Sequence, residues 1–345
     1  MSKMSDDKKD RDFAEERQIE SIIGAEGAEV GHDHEPTSGG VTPGGRSVSE
    51  PAIASRTLWG DAWYRLRKNK LAVVALFWIA LVIFCAVTAD LWVPQLFGDP
   101  SEINSVTAMQ TKLQSPSLVH PMGTDDFGRD IFGRVIYGAR ISLSVGILAV
   151  GFTVIIGLIL GAFSGFYGRG TDAIIMRVAD VFLAFPYILF AILLLAVIPQ
   201  EARTTIWPVV FTIGFLGWPS IARVFRSSIL SVKQNDYVDA GRALGANDAR
   251  LMLRHIMPNA IAPIVVYATM SVGGAILTEA ALSFLGIGVQ PPTITWGRMI
   301  EEGRSFITSN PMLVFWPGLA ILTTVLAFTL LGDGVRDALD VKMKD

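Results

Sequence analysis

Apolar residues in this chain gather into long runs that are separated by polar segments. A helix needs about 20 mostly apolar residues to cross the roughly 30 Å of hydrocarbon in a bilayer. Six segments meet that condition, at about 71–92, 141–165, 173–198, 204–222, 258–284 and 312–332. Charged side chains are sparse within these segments, and those near the ends can reach the interface or pair. The pattern therefore predicts an all-α, polytopic membrane protein with six transmembrane helices.

The distribution of lysine and arginine predicts how these helices are oriented. A basic run at 65–70 comes directly before the first span. Because basic residues are enriched on the cytoplasmic side, the N-terminus is predicted inside, and six spans return the C-terminus to the same side. The loop 93–140 conflicts with this orientation, since it would lie outside and yet contains Arg129, Arg134 and Arg140. Most basic residues near the span ends agree with a cytoplasmic N-terminus, so this orientation is the prediction.

Residues 1–57 differ in composition from the rest of the chain. They are polar, rich in charge and glycine, and too poor in large apolar groups to offset the entropy of ordering. We therefore predict a disordered cytoplasmic tail over 1–57 and a transmembrane domain over 58–345. The tail segment His32–Glu35 contains metal-ligating side chains, but a flexible cluster fixes no coordination geometry, so no metal site is predicted.

The overall composition supports a membrane protein and excludes several enzyme classes. Hydrophobic residues make up 51% of the chain and charged residues only 18%, with the apolar residues gathered rather than scattered. The sequence contains no phosphate-binding loop, no H-E-x-x-H zinc motif and no G-x-S-x-G nucleophile motif. The chain is therefore predicted to be no enzyme and to bind no cofactor. Any active transport would have to be powered by another protein.

A charged segment at 237–259 lies between the fourth and fifth apolar runs. One face of its first helix combines apolar and small side chains, namely Tyr237, Ala240, Gly241 and Leu244. Gly245 stands where a helix would end, Asn247 can cap a second helix, and Pro258 ends or redirects that helix. On the second helix one face carries Ala249, Met252, Leu253 and Ile256. The pattern predicts a helix-turn-helix that contacts another protein, and a merely solvated linker is the alternative.

The segment resembles the EAA loop of ATP-binding-cassette (ABC) importer permeases. The matching residues are Asp239-Ala240-Gly241, Gly245 and Ile256-Met257-Pro258, with Asp for Glu, Gly241 for the second Ala and Met257 for Leu. Further blocks are similar to the oligopeptide and dipeptide importer branch of this family, at 120–130, 134–143, 279–286, 290–292, 296–297 and 331–340. Because several blocks match in the family's order, the chain is identified as a member.

The resemblance implies a type I ABC importer permease fold with a cytoplasmic coupling helix between spans 4 and 5. The residues implied in coupling are Tyr237, Asp239, Ala240, Gly241, Leu244, Gly245 and Pro258. The implied partners are a homologous second permease, two ABC ATPase subunits that hold ATP and Mg, an extracytoplasmic solute-binding protein and membrane lipid, with no nucleic acid. The implied location is the cytoplasmic (inner) membrane of a prokaryote. Peptides are the implied substrate, while nickel, glutathione and sugar oligomers remain open.

Two groups of polar residues are further site candidates. Glu279 and Ser283 lie toward the outer end of the fifth span and could face the translocation path, although the sequence slightly favours a structural carboxylate bonded to a neighbouring helix for Glu279. The segments predicted outside offer a second set, which could contact the solute-binding protein or form an outer gate: Asp125, Asp126, Arg129 and Trp296. Packing between subunits is the alternative for that second set.

Local patterns within the spans give three more predictions. Arg177 and Asp180 stand three residues apart on one helix face, which favours an ion pair between them. The small residues Gly157, Gly161 and Gly165 recur every fourth position and predict close packing against another helix. Prolines predicted to kink their helices are Pro186, Pro208 and Pro219.

A different functional class also fits a polytopic chain. An ion-gradient-driven secondary transporter or channel would need a line of ionisable groups in mid-span, and Glu279 is nearly alone there. The sequence therefore favours an importer permease and keeps the ion-driven transporter as the alternative.

Overall fold

The computed structural model describes residues 58–99 and 111–340, and these residues are almost entirely helical. Within those two ranges the only β pairing is an isolated bridge between Thr124 and Asp130. The predicted all-α class is confirmed. The predicted tail 1–57, with its His32–Glu35 cluster, lies outside the described residues.

The α-helices are α1 (Leu58–Lys68), α2 (Lys70–Phe97), α3 (Ile131–Tyr167), α4 (Arg169–Ala184), α5 (Tyr187–Ala196), α6 (Trp207–Lys233), α7 (Asp236–Ala243), α8 (Asp248–Arg250), α9 (Met257–Ala260), α10 (Ala262–Phe284), α11 (Trp296–Gly303) and α12 (Met312–Leu339). A π-helical segment, Leu251–Ile256, joins α8 to α9, and short 3₁₀ turns occupy Gln200–Thr204 and Arg304–Phe306.

Five of these helices are long and apolar enough to cross a membrane, namely α2, α3, α6, α10 and α12. The predicted span 173–198 is not one helix, because α4 and α5 meet at an angle of 88°. The break falls at Phe185, whose backbone is extended, and at Pro186, whose backbone is not helical. Proline has no amide to donate and disfavours helical backbone at the preceding residue. Counting this bent pair as one broken span gives six.

Helix α3 begins ten residues earlier than the predicted span 141–165, so part of the predicted loop 93–140 is helical. Asp130 caps its first turn by accepting a 2.8 Å hydrogen bond from the Gly133 amide. Arg140, which argued against the orientation, pairs with Asp90 of α2 at 3.0 Å. At 1.5 Å per residue, the 37 residues of α3 extend about 55 Å. The helix therefore has two well-separated ends, at Asp130 and at Tyr167.

Helices α3 and α6 lie in direct backbone contact along the predicted glycine repeat. A Cβ placed on Gly157 would approach Ile221 Cγ2 to 2.5 Å, and one on Gly161 would approach the Ala222 carbonyl oxygen to 2.7 Å. Gly165 meets Ile229 in the same way, at 2.8 Å. The prediction of close packing is confirmed, since any larger side chain would force the two helices apart.

Two other local predictions need correction. Asp180 pairs with Arg223 of α6 rather than with Arg177, which lies on the same helix as Asp180. Both partners are half-exposed, so the pair is worth only about 0–1 kcal/mol. Pro208 lies in the first turn of α6, where a missing amide costs nothing, and it does not kink the helix there. Pro219 lies inside the same helix.

Candidate coupling hairpin and charge clasp

Residues 236–260 form a compact helical hairpin that follows directly from α6. Helix α7 ends at Ala243, Leu244 is its C-cap, and Gly245 then adopts a left-handed conformation with φ of +82°. The Ala246 amide donates to the Gly241 carbonyl at 3.1 Å and the Gly245 amide to that of Arg242 at 3.0 Å. These two bonds define a Schellman motif, which satisfies the last carbonyls of the helix and favours glycine at the left-handed position.

The second arm of the hairpin starts from Asn247 and changes its winding before Pro258. The Asn247 side chain accepts a 2.9 Å hydrogen bond from the Arg250 amide, so the predicted cap is present. Between Leu251 and Ile256 the winding widens to a π-helix, and these two side chains are the fully buried ones. The predicted face of Ala249, Met252, Leu253 and Ile256 is therefore only partly right, because a five-residue spacing replaces the α-helical one.

The hairpin buries one side and exposes the other. Val238 is fully buried against the second arm. Gly241 lies close to Leu251, because a Cβ added to Gly241 would come 3.1 Å from Leu251 Cδ2. Tyr237 is 44% exposed and Leu244 is 89% exposed. Ala240, Asp239, Gly245 and Pro258 are also exposed. Most of the predicted stripe is therefore an open surface, while Gly241 lies against the second arm.

The hairpin sits at the Tyr167 end of α3. The Lys233 ammonium, at the end of α6, donates to the Phe166 carbonyl. Next to it, Arg226 of α6 holds Asp172 of α4 through two hydrogen bonds of 2.5 and 2.6 Å. Val238 belongs to the same apolar cluster as Phe166. The position of the hairpin is thus tied to the ends of the spanning helices.

A network of ionised side chains lies at the other end of α3. We call it the charge clasp and define it as Asp125, Arg129, Arg134 and Glu302. One Asp125 oxygen accepts the Phe127 and Arg129 amides at 2.9 Å each, and the other accepts Arg129 Nε and Arg134 Nη1 at 2.7 Å each. The clasp thereby fixes the loop before α3 to α3 itself.

Glu302 extends the charge clasp to α11. Its Oε2 accepts Arg134 Nη2 at 2.7 Å and Arg129 Nη2 at 3.3 Å. The Arg134 side chain is only 3% exposed, so its charge is compensated inside the protein rather than by water. Arg134 and Glu302 were not singled out from the sequence. The one signal in the sequence was that Arg134 lies in the loop 93–140, which is predicted outside, whereas basic residues are enriched on the cytoplasmic side.

Two more acids flank the charge clasp. Burial, followed by the negative charge of Asp125, raises the pKa of Asp126 above its ordinary value. Burial also raises the pKa of Asp130, although the Gly133 amide and His120 oppose that shift. The Nδ1 of His120 lies 2.9 Å from Asp130 Oδ2. Asp130 therefore joins the clasp loop to the cap of α3.

Trp296 is buried at the start of α11 rather than displayed on a surface. Its indole donates to the Val135 carbonyl at 2.8 Å, and its amide meets the Ser142 hydroxyl at 3.2 Å. The neighbouring Gly297 lies so close to α10 that a Cβ would come within 2.5 Å of Ala280 Cα. The Trp-Gly pair thus packs α11 onto α3 and α10.

Glu279 is completely buried between helices. Its two oxygens accept hydrogen bonds from Ser142 at 3.1 Å and from Ser283 at 2.7 Å. Because Ser142 belongs to α3, the carboxylate joins α10 to α3. This is the bonding expected of a structural carboxylate, and contact of Glu279 or Ser283 with a substrate remains a prediction.

Comparison with known proteins identifies the family. Residues 157–345 match the model for the binding-protein-dependent transport system inner membrane component. The chain belongs to this family. Residues 57–116 of the permease also match the model for the N-terminal TM domain of oligopeptide transport permease C. The recognition drawn from the sequence blocks is therefore confirmed.

The permease has curated relatives over most of its length. It is 43% identical over 286 residues to the dipeptide transport system permease protein DppC of Alkalihalophilus pseudofirmus, covering 83% of this chain and 90% of that one. It is 42% identical over 310 residues to the oligopeptide transport system permease protein OppC of Bacillus subtilis, covering 87% and 98%. It is 41% identical over 292 residues to the glutathione transport system permease protein GsiD of Pectobacterium atrosepticum, covering 84% and 93%.

A solved structure confirms the fold of the permease. An inward-facing structure of the MetNI methionine ABC transporter matches with a TM-score of 0.50 and 18% identity, covering 59% of this chain and 96% of that one. The predicted type I importer permease fold is thus confirmed. The chain is a multi-pass inner-membrane transport permease, a class that works with ATPase and binding-protein partners.

Proposed function

We propose that this chain is the permease subunit of an ATP-driven importer of short peptides. In this proposal it forms half of the translocation path with a homologous second permease. Two ABC ATPase subunits bind and hydrolyse ATP with Mg, and an extracytoplasmic solute-binding protein delivers the substrate. The names of three relatives support the substrate class, because dipeptides, oligopeptides and glutathione all contain peptide-linked amino acids.

The observation that carries the coupling role is the open face of the hairpin. Leu244 is 89% exposed at the end of α7, while Val238 on the same helix is fully buried. Leu244 shares this face with the exposed Tyr237 and Ala240, and an exposed apolar patch of this kind is typical of a surface that a partner covers. We assign the partner as an ATPase subunit, contacted by Tyr237, Asp239, Ala240 and Leu244. Gly245 and Pro258 shape the two arms.

A binding measurement tests this assignment. Leu244→Ser or Tyr237→Ala should weaken retention of the ATPase subunits in the purified complex by about tenfold or more, as expected for truncated anchor residues at an interface. Leu118→Ser is the matched control, because Leu118 is also exposed but lies in the loop before α3. Equal retention by all three variants would reject the hairpin as the ATPase contact.

Orientation requires a separate experiment. We propose that the hairpin and both termini are cytoplasmic, so that the charge clasp lies outside. In a Cys85→Ala background, which removes the chain's single thiol, Leu244→Cys in the chain expressed without the ATPase subunits should react with an impermeant maleimide only in inverted vesicles. Leu118→Cys should react in intact cells. The opposite pattern would invert the topology and remove the coupling role.

The outer and mid-span candidates act through structure in this proposal. Asp125, Arg129 and Trp296 hold the loop before α3 and α11 in one shape, with Asp126 beside Asp125, and the solute-binding protein docks against this loop. Glu279 and Ser283 hold α10 against α3 beside the path. Both assignments are supported by the hydrogen bonds that these residues make within the chain.

Transport assays separate the preferred function from the ion-driven alternative. Vesicles that contain both permeases and the ATPases should take up a dipeptide only when ATP is inside and the solute-binding protein outside. An ion-driven transporter needs mid-span ionisable groups that reach water, whereas Glu279 is fully buried between two hydroxyls. Uptake that persists without ATP but collapses with an ionophore would favour the alternative.

A further inference from the structure

Helix α4 lies between two joints in the backbone. At its start, Gly168 and Arg169 adopt left-handed conformations with φ of +64° and +47°. Such a conformation is uncommon for a residue other than glycine. At its end, the break at Phe185 and Pro186 separates α4 from α5, which it meets at 88°. Because hinges are typically a few residues at the ends of an element, α4 is a helical segment with a candidate hinge on each side.

Helix α4 is also lightly packed within this chain. Of its sixteen residues, Ala179 alone is buried. It belongs to a small apolar cluster with Trp218 and Ala222 of α6. Helix α6, in contrast, has buried residues along most of its length. The elements that move in a protein are drawn from the parts with few buried apolar contacts, so α4 can shift against α6 with little loss of packing.

Asp172 connects α4 to the two helices against which the hairpin packs. Its carboxylate accepts Arg226 Nε of α6 at 2.5 Å and Nη2 at 2.6 Å, and the Ser164 hydroxyl of α3 donates to it at 2.5 Å. A two-pronged pair of this kind fixes orientation as well as distance. Arg226 lies two turns, about 10 Å, before Lys233, where α6 ends and the hairpin follows. Helices α3, α4 and α6 therefore meet at one carboxylate close to the hairpin.

A second ion pair between α4 and α6 is weaker in geometry. Asp180 accepts one hydrogen bond from Arg223 Nη2, and the two side chains are 56% and 45% exposed. In the described part of the chain no third helix donates to Asp180. Exposed pairs of this kind contribute little, because water competes for both partners. The Asp180 pair therefore serves as an internal comparison for the Asp172 pair.

We propose that Asp172 and Arg226 are positioning residues that transmit movement of the hairpin to α4, a role that rests on the proposed function because the ATPase subunits supply the movement. Val238 of the hairpin shares one apolar cluster with Phe166 of α3 and Ile229 of α6, so these parts shift together. The Asp172–Arg226 pair carries α4 with them, and the two joints absorb the change in backbone angle. Without the pair, α4 no longer follows the hairpin.

Peptide uptake and ATP hydrolysis, measured together in vesicles that contain the complete importer, test the pair. Asp172→Asn should lower the peptide taken up per ATP hydrolysed about tenfold, while the ATPase subunits stay bound and hydrolysis continues. Asp172→Glu keeps the carboxylate and should keep most of this ratio. Asp180→Asn breaks the other pair and should leave the ratio unchanged. A residue that only supported the fold would lower uptake and hydrolysis together, without a change in their ratio.

Hydrogen exchange supplies a readout that does not depend on uptake. When the ATPase subunits are trapped with ADP and vanadate, exchange over 169–184 should change in the wild type and in Asp180→Asn. In Asp172→Asn the hairpin at 236–247 should still respond, and α4 should not.

Four results would overturn the role of the pair. These are an unchanged ratio in Asp172→Asn, an equal loss in Asp172→Glu, loss of the ATPase subunits from Asp172→Asn, and an α4 whose exchange ignores trapping in the wild type or follows it in Asp172→Asn. Wild-type vesicles without ATP-dependent uptake would instead reject the proposed function, and the exchange measurement would still decide whether the pair moves α4.

Discussion

The two ends of α3 are built on opposite plans. At the Asp130 end, the charge clasp closes on itself, and Arg134 is only 3% exposed while contacting two carboxylates. At the Tyr167 end, the hairpin buries Val238 but leaves Leu244 89% exposed. One end is therefore completed by contacts within this chain. The other presents an open apolar surface, which an ATPase subunit covers in the function that we propose.

The largest effect is expected in the charge clasp, where the buried charges would lose one of their two cationic partners. Arg134→Met removes the guanidinium that joins Asp125 to Glu302 and leaves Arg129 as the remaining partner of both, so the cost is at most that of a broken buried pair, about 3–5 kcal/mol. Thermal unfolding in detergent, followed by loss of the monodisperse peak, should shift strongly downward. Arg242→Met is the matched control, because Arg242 pairs with Asp239 at the exposed face of the hairpin. If both variants unfold alike, the two ends do not differ as described.

A smaller effect is expected along the glycine contact between α3 and α6, which connects the two ends. Gly161→Ala would place a methyl group 2.7 Å from the Ala222 carbonyl oxygen, and overpacking of this kind costs about 1–3 kcal/mol. Gly151→Ala, on the same helix with nothing within 4 Å, should be neutral or slightly stabilising. The same unfolding assay decides, and equal melting of both variants would contradict the close packing.

The smallest effect is expected within the hairpin turn. Gly245→Ala forces a side chain into a backbone with φ of +82°, at a cost of about 1–2 kcal/mol that falls on the hairpin alone. Hydrogen exchange should speed up over 236–247 while the spanning helices stay protected. Gly245→Asn should lose less, because asparagine tolerates the left-handed region. Faster exchange in α3 as well would mean that the hairpin and the spanning helices open together.

Local features of the fold could be predicted from the sequence. The apolar runs locate the spans because bilayer thickness sets their length. The Gly245 turn and the Asn247 cap depend on residues only a few positions apart, so their signals survive in a single sequence. The prediction of an Arg177–Asp180 pair was wrong because the partner of Asp180 is distant in sequence. Arg223 of another helix competes for Asp180, and nothing local reveals it.

The charge clasp could not be predicted because its members come from distant parts of the chain. Asp125, Arg134 and Glu302 belong to a loop, to α3 and to α11, and only the fold brings them together. The bend between α4 and α5 was partly visible, since Pro186 predicts a kink. The size of the bend, 88°, could not be predicted, because the sequence is apolar on both sides of the break.

The contacts of Gly157 and Gly161 differ in a way that determines which substitutions each position can accept during evolution. The two nearest neighbours of a Cβ at Gly157 are Cγ2 and Cβ of Ile221, so a glycine at 221 can make room for it, whereas an alanine, which keeps its Cβ, cannot. The nearest neighbour at Gly161 is a main-chain oxygen, which no exchange of side chain removes. Positions 157 and 221 should therefore covary among homologous sequences, while 161 should stay invariant whatever its neighbours become.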